Sequence, residues 1–263
     1  MRNKHPEEIR TTVLQRYGDL AKGGSKGCGC TVSPSCCGSS SPSASEALGY
    51  SVEELSSVPE GSNMGLGCGN PQAIAALKPG ETVVDLGSGG GFDCFLAAAR
   101  VGKSGRVIGV DMTPEMVNRA RENARQGDYT NVEFRLGEIE HLPVADNTAD
   151  VIISNCVINL SPDKQSVFQE AYRILKPGGR LAISDVVATA SLPPELRDDL
   201  QLLSRCIAGA VTPEEITGML QRAGFREIRI QLQESSREVI KEWIPGINAQ
   251  DYVVSATIEA VKP

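Results

Sequence analysis

Eight cysteines in a chain of 263 residues, beside only two histidines, raise the first chemical question. Four fall in one Gly- and Ser-rich stretch: Cys28, Cys30, Cys36 and Cys37. The others are dispersed, with Cys68 in GLGCGNP, Cys94 in CFLAAA, Cys156 in SNCVIN and Cys206 in RCIAGA. Two histidines exclude multi-histidine metal sites. The N-terminus, MRNKHPEEIR, is polar, and no run approaches the ~18 apolar residues a membrane helix needs. The expected location is cytoplasmic, where thiols stay reduced. Disulfide staples are then the weaker reading of these cysteines. Ligation of a soft centre, or thiol redox chemistry, is the stronger.

Composition removes other classes. The chain carries 26 Lys plus Arg against 33 Asp plus Glu, a formal net charge of -7, with 4% aromatics. Such a surface neither attracts a phosphate backbone nor offers rings for base stacking. No nucleic-acid or membrane partner is expected, and the chain is expected to act as a monomer. A hydrophobic fraction of 40% and a charged fraction of 22% are those of a globular protein.

A second constellation is glycine-rich. The run Asp85-Leu86-Gly87-Ser88-Gly89-Gly90-Gly91 ends an apolar segment. Such a turn lets a ligand approach the backbone closely. A dinucleotide fingerprint would place its third Gly at position 92, where Phe92 stands, so a nicotinamide-binding sheet is disfavoured. Twenty residues after Gly91, Asp111 can accept from both hydroxyls of a ribose. Gly137-Glu138-Ile139 places an acid and a backbone amide where an adenine edge could lie.

The elements that must position these groups alternate. Residues 82–87, 106–111, 132–137, 150–155 and 180–186 are short β-branched runs, suited to a parallel sheet buried on both faces. Helical patterns lie between them, one opening with Pro114 in its first turn. The alternation predicts a doubly wound α/β fold. Residues 225–233 and 252–261 read as strands adding an antiparallel edge, after a helical insertion over 192–223 capped by Thr212 and closed by Gly224. Upstream, Ile9, Val13, Tyr17 and Leu20 form one stripe of a helix over 6–21, and Ser51 with Glu54 forms a capping box. Cys156 falls at the carboxyl end of the fourth strand, the usual ligand edge of open α/β sheets. Cys94 reads as a small buried hydrophobe.

DLGSGGG, GVD, GEIE and LKPGG together resemble class I S-adenosylmethionine (SAM) methyltransferases. The resemblance implies a Rossmann-like, mostly parallel seven-stranded sheet and SAM as methyl donor. LGCGNP (66–71), SNCVINLSPDKQSVFQEAYRILKPGG (154–179), RCIAGA (205–210) and SCCG (35–38) are more closely similar to arsenite methyltransferases. That family implies As(III) held by Cys68, Cys156 and Cys206, with one upstream cysteine among Cys28, Cys30, Cys36 and Cys37 as redox partner. It implies a cofactor site of Tyr17, Asp85, Gly87, Ser88, Gly89, Asp111, Met112, Glu138, Ile139 and Asn155, and no metal cofactor. Gly65-Leu66 departs from the aromatic pair of many relatives. The substrate implied is arsenite or its glutathione conjugate, with thioredoxin or glutathione as reductant. The organisation expected is a capping segment over 1–65, a SAM-binding core over 66–190, and an arsenic-binding lid with edge strands over 191–263. Two other readings stay open: a SAM methyltransferase of an organic acceptor with incidental cysteines, and a thiol-based metalloid sensor.

Overall fold

The computed structural model describes residues 5–23, 42–197, 199–243 and 247–263. Cys28, Cys30, Cys36 and Cys37 lie outside them. The apolar runs become β1 (Thr82–Leu86), β2 (Arg106–Asp111), β3 (Val132–Leu136), β4 (Ala149–Asn155) and β5 (Leu175–Ala188). Residues Val83, Val84, Val107, Ile108, Val151 and Ile152 are fully buried, as strands covered on both faces require. β6 (Arg226–Gln233) and β7 (Val253–Val261) complete the order β3-β2-β1-β4-β5-β7-β6.

β7 alone runs antiparallel, slotted between β5 and β6. The expected antiparallel addition is thus one reversed strand, with β6 as the outer edge. β5 also begins five residues earlier than the apolar run suggests. The chain end holds its lead-in: Gly178 donates to Lys262 O at 2.7 Å, and Lys262 N donates to Gly179 O at 2.9 Å.

The helices are α1 (Pro6–Ala21), α2 (Pro42–Ala47), α3 (Val52–Ser56), α4 (Gln72–Ala75), α5 (Phe92–Val101), α6 (Pro114–Gln126), α7 (Lys164–Ile174), α8 (Pro194–Arg197), α9 (Leu200–Leu203), α10 (Pro213–Ala223) and α11 (Ser236–Lys241). Ser51 and Thr212 both form capping boxes, with Glu54 and Glu215, and Gly224 ends α10 at φ 109°. Each box satisfies N–H groups that a helix start leaves unpaired.

Two apolar clusters cover the sheet faces. A third sits over the carboxyl ends of β4 and β5. There Ile9 and Val13 of α1 meet Leu202, Leu203, Ile207 and Val253. Burying each such α1 side chain is worth roughly 1.5–3 kcal/mol relative to exposure. Cys68, Cys156 and Cys206 belong to this third cluster.

Candidate active site

A cleft of about 1170 Å³ opens at the carboxyl ends of β1, β2 and β4. The turn from β1 into α5 forms its floor. Gly87, Gly89 and Gly91 adopt φ of 72°, 50° and 93°, a region closed to most side chains. Crowding adds to this requirement, since a Cβ on Gly87 would stand 2.5 Å from Val157 Cγ2.

Asp111 ends β2 and lines the cleft. Its Oδ2 accepts from Gly89 N at 2.9 Å and its Oδ1 from Thr113 N at 2.8 Å. Each oxygen keeps a lone pair for a further donor. Burial pushes its carboxyl up, against the pull of those two N–H groups. Asp85, Ser88 and Met112 also line the cleft. Asp85 is buried, accepts from Cys94 Sγ at 3.2 Å, and is pushed well up by burial and then by Asp93. The buried Cys94 thus acts as a thiol donor as well as packing.

At the end of β3, Ile139 and Glu140 line the cleft. Glu138 does not; its Oε2 lies 3.4 Å from Arg10 Nε. Glu140 is buried and accepts from Ser161 Oγ at 2.6 Å. Tyr17 reaches the cleft from α1, and its hydroxyl donates to Ser204 O at 3.4 Å. Burial raises its phenol well above the usual range, with Cys206 and Cys156 adding to the shift.

The thiols gather beside this cleft. Cys68, Cys156 and Cys206 are 1%, 7% and 2% exposed. Cys156 is the one of the three that lines the cleft. Its Sγ lies within 4.8 Å of Cys68 Sγ, a grouping that does not include Cys206. Cys206 Sγ also donates to Cys156 O at 2.9 Å, and Cys68 Sγ to Ser184 O at 3.7 Å. Burial pushes the Cys68 thiol up to about 11. Cys206 is raised by its bond to Cys156 and then by burial. The Cys156 thiol is pulled down by Cys206 but pushed further up by Cys68 and burial.

Cys156 and Cys206 both adopt left-handed backbone, at φ 60° and 64°. A non-glycine residue there costs about 1–2 kcal/mol. Such strain persists where the surroundings over-determine it. Cys156 N is held by Ser184 O at 2.8 Å and Cys206 N by Leu203 O at 2.9 Å.

Asn155 ties the Cys68 loop to β4. Its Oδ1 accepts from Cys68 N at 3.0 Å, and its Nδ2 donates to Gly69 O at 2.8 Å. The same amide reaches Tyr50 Oη at 3.0 Å and Asp93 Oδ2 at 3.2 Å. Behind the thiols, Asp185 is buried and accepts from Ile158 N, Asn159 Nδ2 and Val186 N. Burial pushes its carboxyl up to about 6, against those donors and Lys164.

Comparison with known proteins identifies this architecture. A family model described as a methyltransferase domain matches residues 77–224. An arsenite methyltransferase of Halobacterium salinarum is 52% identical over 267 residues, spanning 99% of this chain and 68% of that protein. The chain belongs to the arsenite methyltransferase family. The human arsenite methyltransferase is 43% identical over 155 residues, spanning 54% of this chain and 40% of its own length. The crystal structure of an arsenic(III) S-adenosylmethionine methyltransferase from Chlamydomonas reinhardtii superposes with a TM-score of 0.63 at 33% identity. That match covers 84% of this chain and 74% of the other. The sheet is therefore that of class I SAM methyltransferases. No helix among the described residues is long and apolar enough to cross a membrane.

Arsenite methyltransferase membership gives these residues a frame, and two that line the cleft and one behind the thiols fall outside the expected set or role. Glu140, rather than Glu138, is the carboxylate of β3's end that lines the cleft. Asp185 stands beside the Cys68 and Cys156 thiols; its signal in the sequence is an acid inside an apolar strand in AISDV. Asn155 lines the cleft, but its side chain is committed to the Cys68 loop. Asn155→Ala strands the Cys68 N–H and Gly69 carbonyl, each at about 1–3 kcal/mol. It is expected to lower Tm and depress arsenite turnover more than SAM affinity. Equal losses in both kinetic constants, with unchanged Tm, would count against this positioning role.

Proposed function

We propose that this protein methylates trivalent arsenic, held by Cys68, Cys156 and Cys206, with SAM as donor. One observation supports the reading: three cysteines from separate segments belong to one buried apolar cluster, and Cys156 joins it to the cleft under the glycine turn. Arsenite exchanges three hydroxides for three thiol sulfurs. Each hydroxide leaves as water with a thiol proton, so three As–S bonds form and no net charge enters the buried cluster. A neutral adduct avoids the desolvation cost of a buried ion. The arsenic lone pair is then the nucleophile, and no general base is needed.

The cleft residues fit SAM. Asp111 has the lone pairs to accept from two ribose hydroxyls. The turn Gly87–Gly91 lets the ligand lie against backbone, and Met112 and Ile139 offer apolar contact beside it. When bound, SAM supplies a methyl group made electrophilic by its sulfonium. Val157 and Leu160 line the same cleft and would exclude water from the reacting atoms. Cys206 must rotate to join Cys68 around one arsenic atom. The contact it gives up is a thiol–carbonyl bond, and S–H is a weak donor. Methylated arsenic left pentavalent returns to As(III) when two thiols give up two electrons and two protons and close a disulfide. Cys36 or Cys37 with a site thiol suit that role, and thioredoxin or glutathione would reduce the disulfide again.

Incubation with SAM, a thiol and arsenite, followed by arsenic speciation, tests the reading. Methylated arsenicals are expected. Trp243 packs against the apolar cluster that contains the three cysteines and is the single tryptophan, so arsenite binding should also change its fluorescence. Arsenic bound without methyl transfer, or methylation of a quinone but not of arsenite, would replace the proposal. Asp111→Ala should raise the KM for SAM at least about tenfold, since hydrogen bonds to charged groups contribute about 1.5–3 kcal/mol each. An unchanged KM removes the ribose assignment.

A further inference from the structure

The thiol cluster contains one group that arsenic does not use. Trivalent arsenic bonded to three sulfurs is neutral, so a carboxylate beside it adds no ligand and no needed charge. Yet Asp185 is 2% exposed at this position. Among the described residues, Cys68 Sγ, Cys156 Sγ and an Asp185 oxygen all lie within 4.8 Å of one another. Metal–sulfur bonds near 2.3 Å and metal–oxygen bonds near 2.0–2.2 Å put tetrahedral donors roughly 3.5–3.8 Å apart. A small inward shift closes that difference.

Asp185 has the free valence. Its Oδ1 is taken by Val186 N at 2.7 Å and Asn159 Nδ2 at 2.9 Å. Its Oδ2 takes Ile158 N at 2.9 Å and keeps one lone pair. Cys206 falls outside this grouping, its Sγ donating to the Cys156 carbonyl at 2.9 Å.

We propose that Cys68, Cys156 and Asp185 form a site for a thiophilic divalent d10 cation, zinc or cadmium, which excludes arsenite by occupying two of its thiols. The inference rests on the thiol cluster described above but not on methyl transfer. One dication binds, two thiols release their protons to solvent, and two metal–sulfur bonds and one metal–oxygen bond form, with water as fourth ligand. The complex carries one net negative charge, and Lys164, whose charge acts on Asp185, offsets it. Thiolate selects the soft cation, and the carboxylate favours a dication over neutral arsenic.

Cadmium titration of the full chain tests this. Cys28, Cys30, Cys36 and Cys37 are first replaced by Ser so that only the cluster takes the probe. Thiolate-to-cadmium absorbance reports the cation, and Trp243 fluorescence reports arsenite. One cadmium per chain is expected, displaced by arsenite. Asp185→Asn should lower cadmium affinity at least about tenfold, the range seen for losses around metal sites, and leave arsenite binding in place. Cys206→Ser should do the reverse, losing arsenite and keeping cadmium. Unaltered cadmium affinity in Asp185→Asn, or parallel loss of both ligands in both variants, overturns the site. SAM binding checks each variant's fold. Should Asp185→Asn fail to fold, the ¹¹³Cd chemical shift of the parent decides: a mixed sulfur–oxygen shell supports the site, an all-sulfur shell overturns it. Cadmium bound with that mixed shell, alongside no arsenite binding, supports the cation site while sinking the arsenic reading.

Discussion

Cys156→Ser is expected to abolish turnover of both arsenite and methylarsenite, by at least about a thousandfold, or about 4 kcal/mol in barrier. Cys156 is the shared member of the cluster. Its thiol lies within 4.8 Å of the Cys68 thiol, its carbonyl accepts from Cys206 Sγ at 2.9 Å, and it alone of the three lines the cleft. Without it no pair of thiols remains that can both grip arsenic and face the donor. A serine hydroxyl fills the space but forms no durable bond to a soft centre.

Valence sharpens the test at Cys68. Methylarsenite has two exchangeable positions, so two thiols saturate it. Cys68→Ser leaves Cys156 and Cys206, whose Sγ donates to the Cys156 carbonyl at 2.9 Å. It should therefore lose arsenite methylation and keep methylarsenite methylation within about tenfold, a barrier change near 1.4 kcal/mol. Separate kinetic runs on the two substrates decide. Equal loss on both would leave the three-thiol scheme without support.

Much of this architecture is legible in the amino-acid sequence. The parallel strands stand out because a sheet covered on both faces needs unbroken apolar runs. The caps at Ser51 and Thr212 and the turn at Gly87–Gly91 are local, so their residue types declare them. Convergence of Cys68, Cys156 and Cys206 is not local. Residues 88 and 50 positions apart meet only through sheet topology, and only family strings point to it. Other features leave little mark. Left-handed backbone at Cys156 and Cys206 is held by tertiary contacts, at residues with no preference for it. Glu138 and Glu140 are alike in type, and only the path of the chain after β3 decides which lines the cleft. The early start of β5 depends on Lys262, more than eighty residues downstream of Gly178.

Gly87→Ala should be a strongly damaging single-methyl change in the turn between β1 and α5. Two costs act together. Residue 87 sits at φ 72°, where a side chain costs about 1–2 kcal/mol. The added Cβ would also stand 2.5 Å from Val157 Cγ2 and 2.8 Å from Val157 Cβ. Relief requires Val157 to move, and Val157 is bonded to Cys156. A methyl group placed in the β1–α5 turn therefore displaces Cys156, the proposed arsenic ligand, as well. The expected result is a lower Tm, a raised KM for SAM and a lower kcat together. Gly89→Ala separates the two costs in the cofactor-free protein. Its φ is 50°, but among the described residues nothing lies within 4 Å of the new methyl group, so its Tm should fall by the strain alone. Gly87→Ala should fall further, and adding Val157→Ala should return its Tm towards that of Gly89→Ala. Equal Tm losses in the two alanine variants, with no recovery in the double variant, would show that Val157 yields freely and that turn and thiol are not mechanically joined.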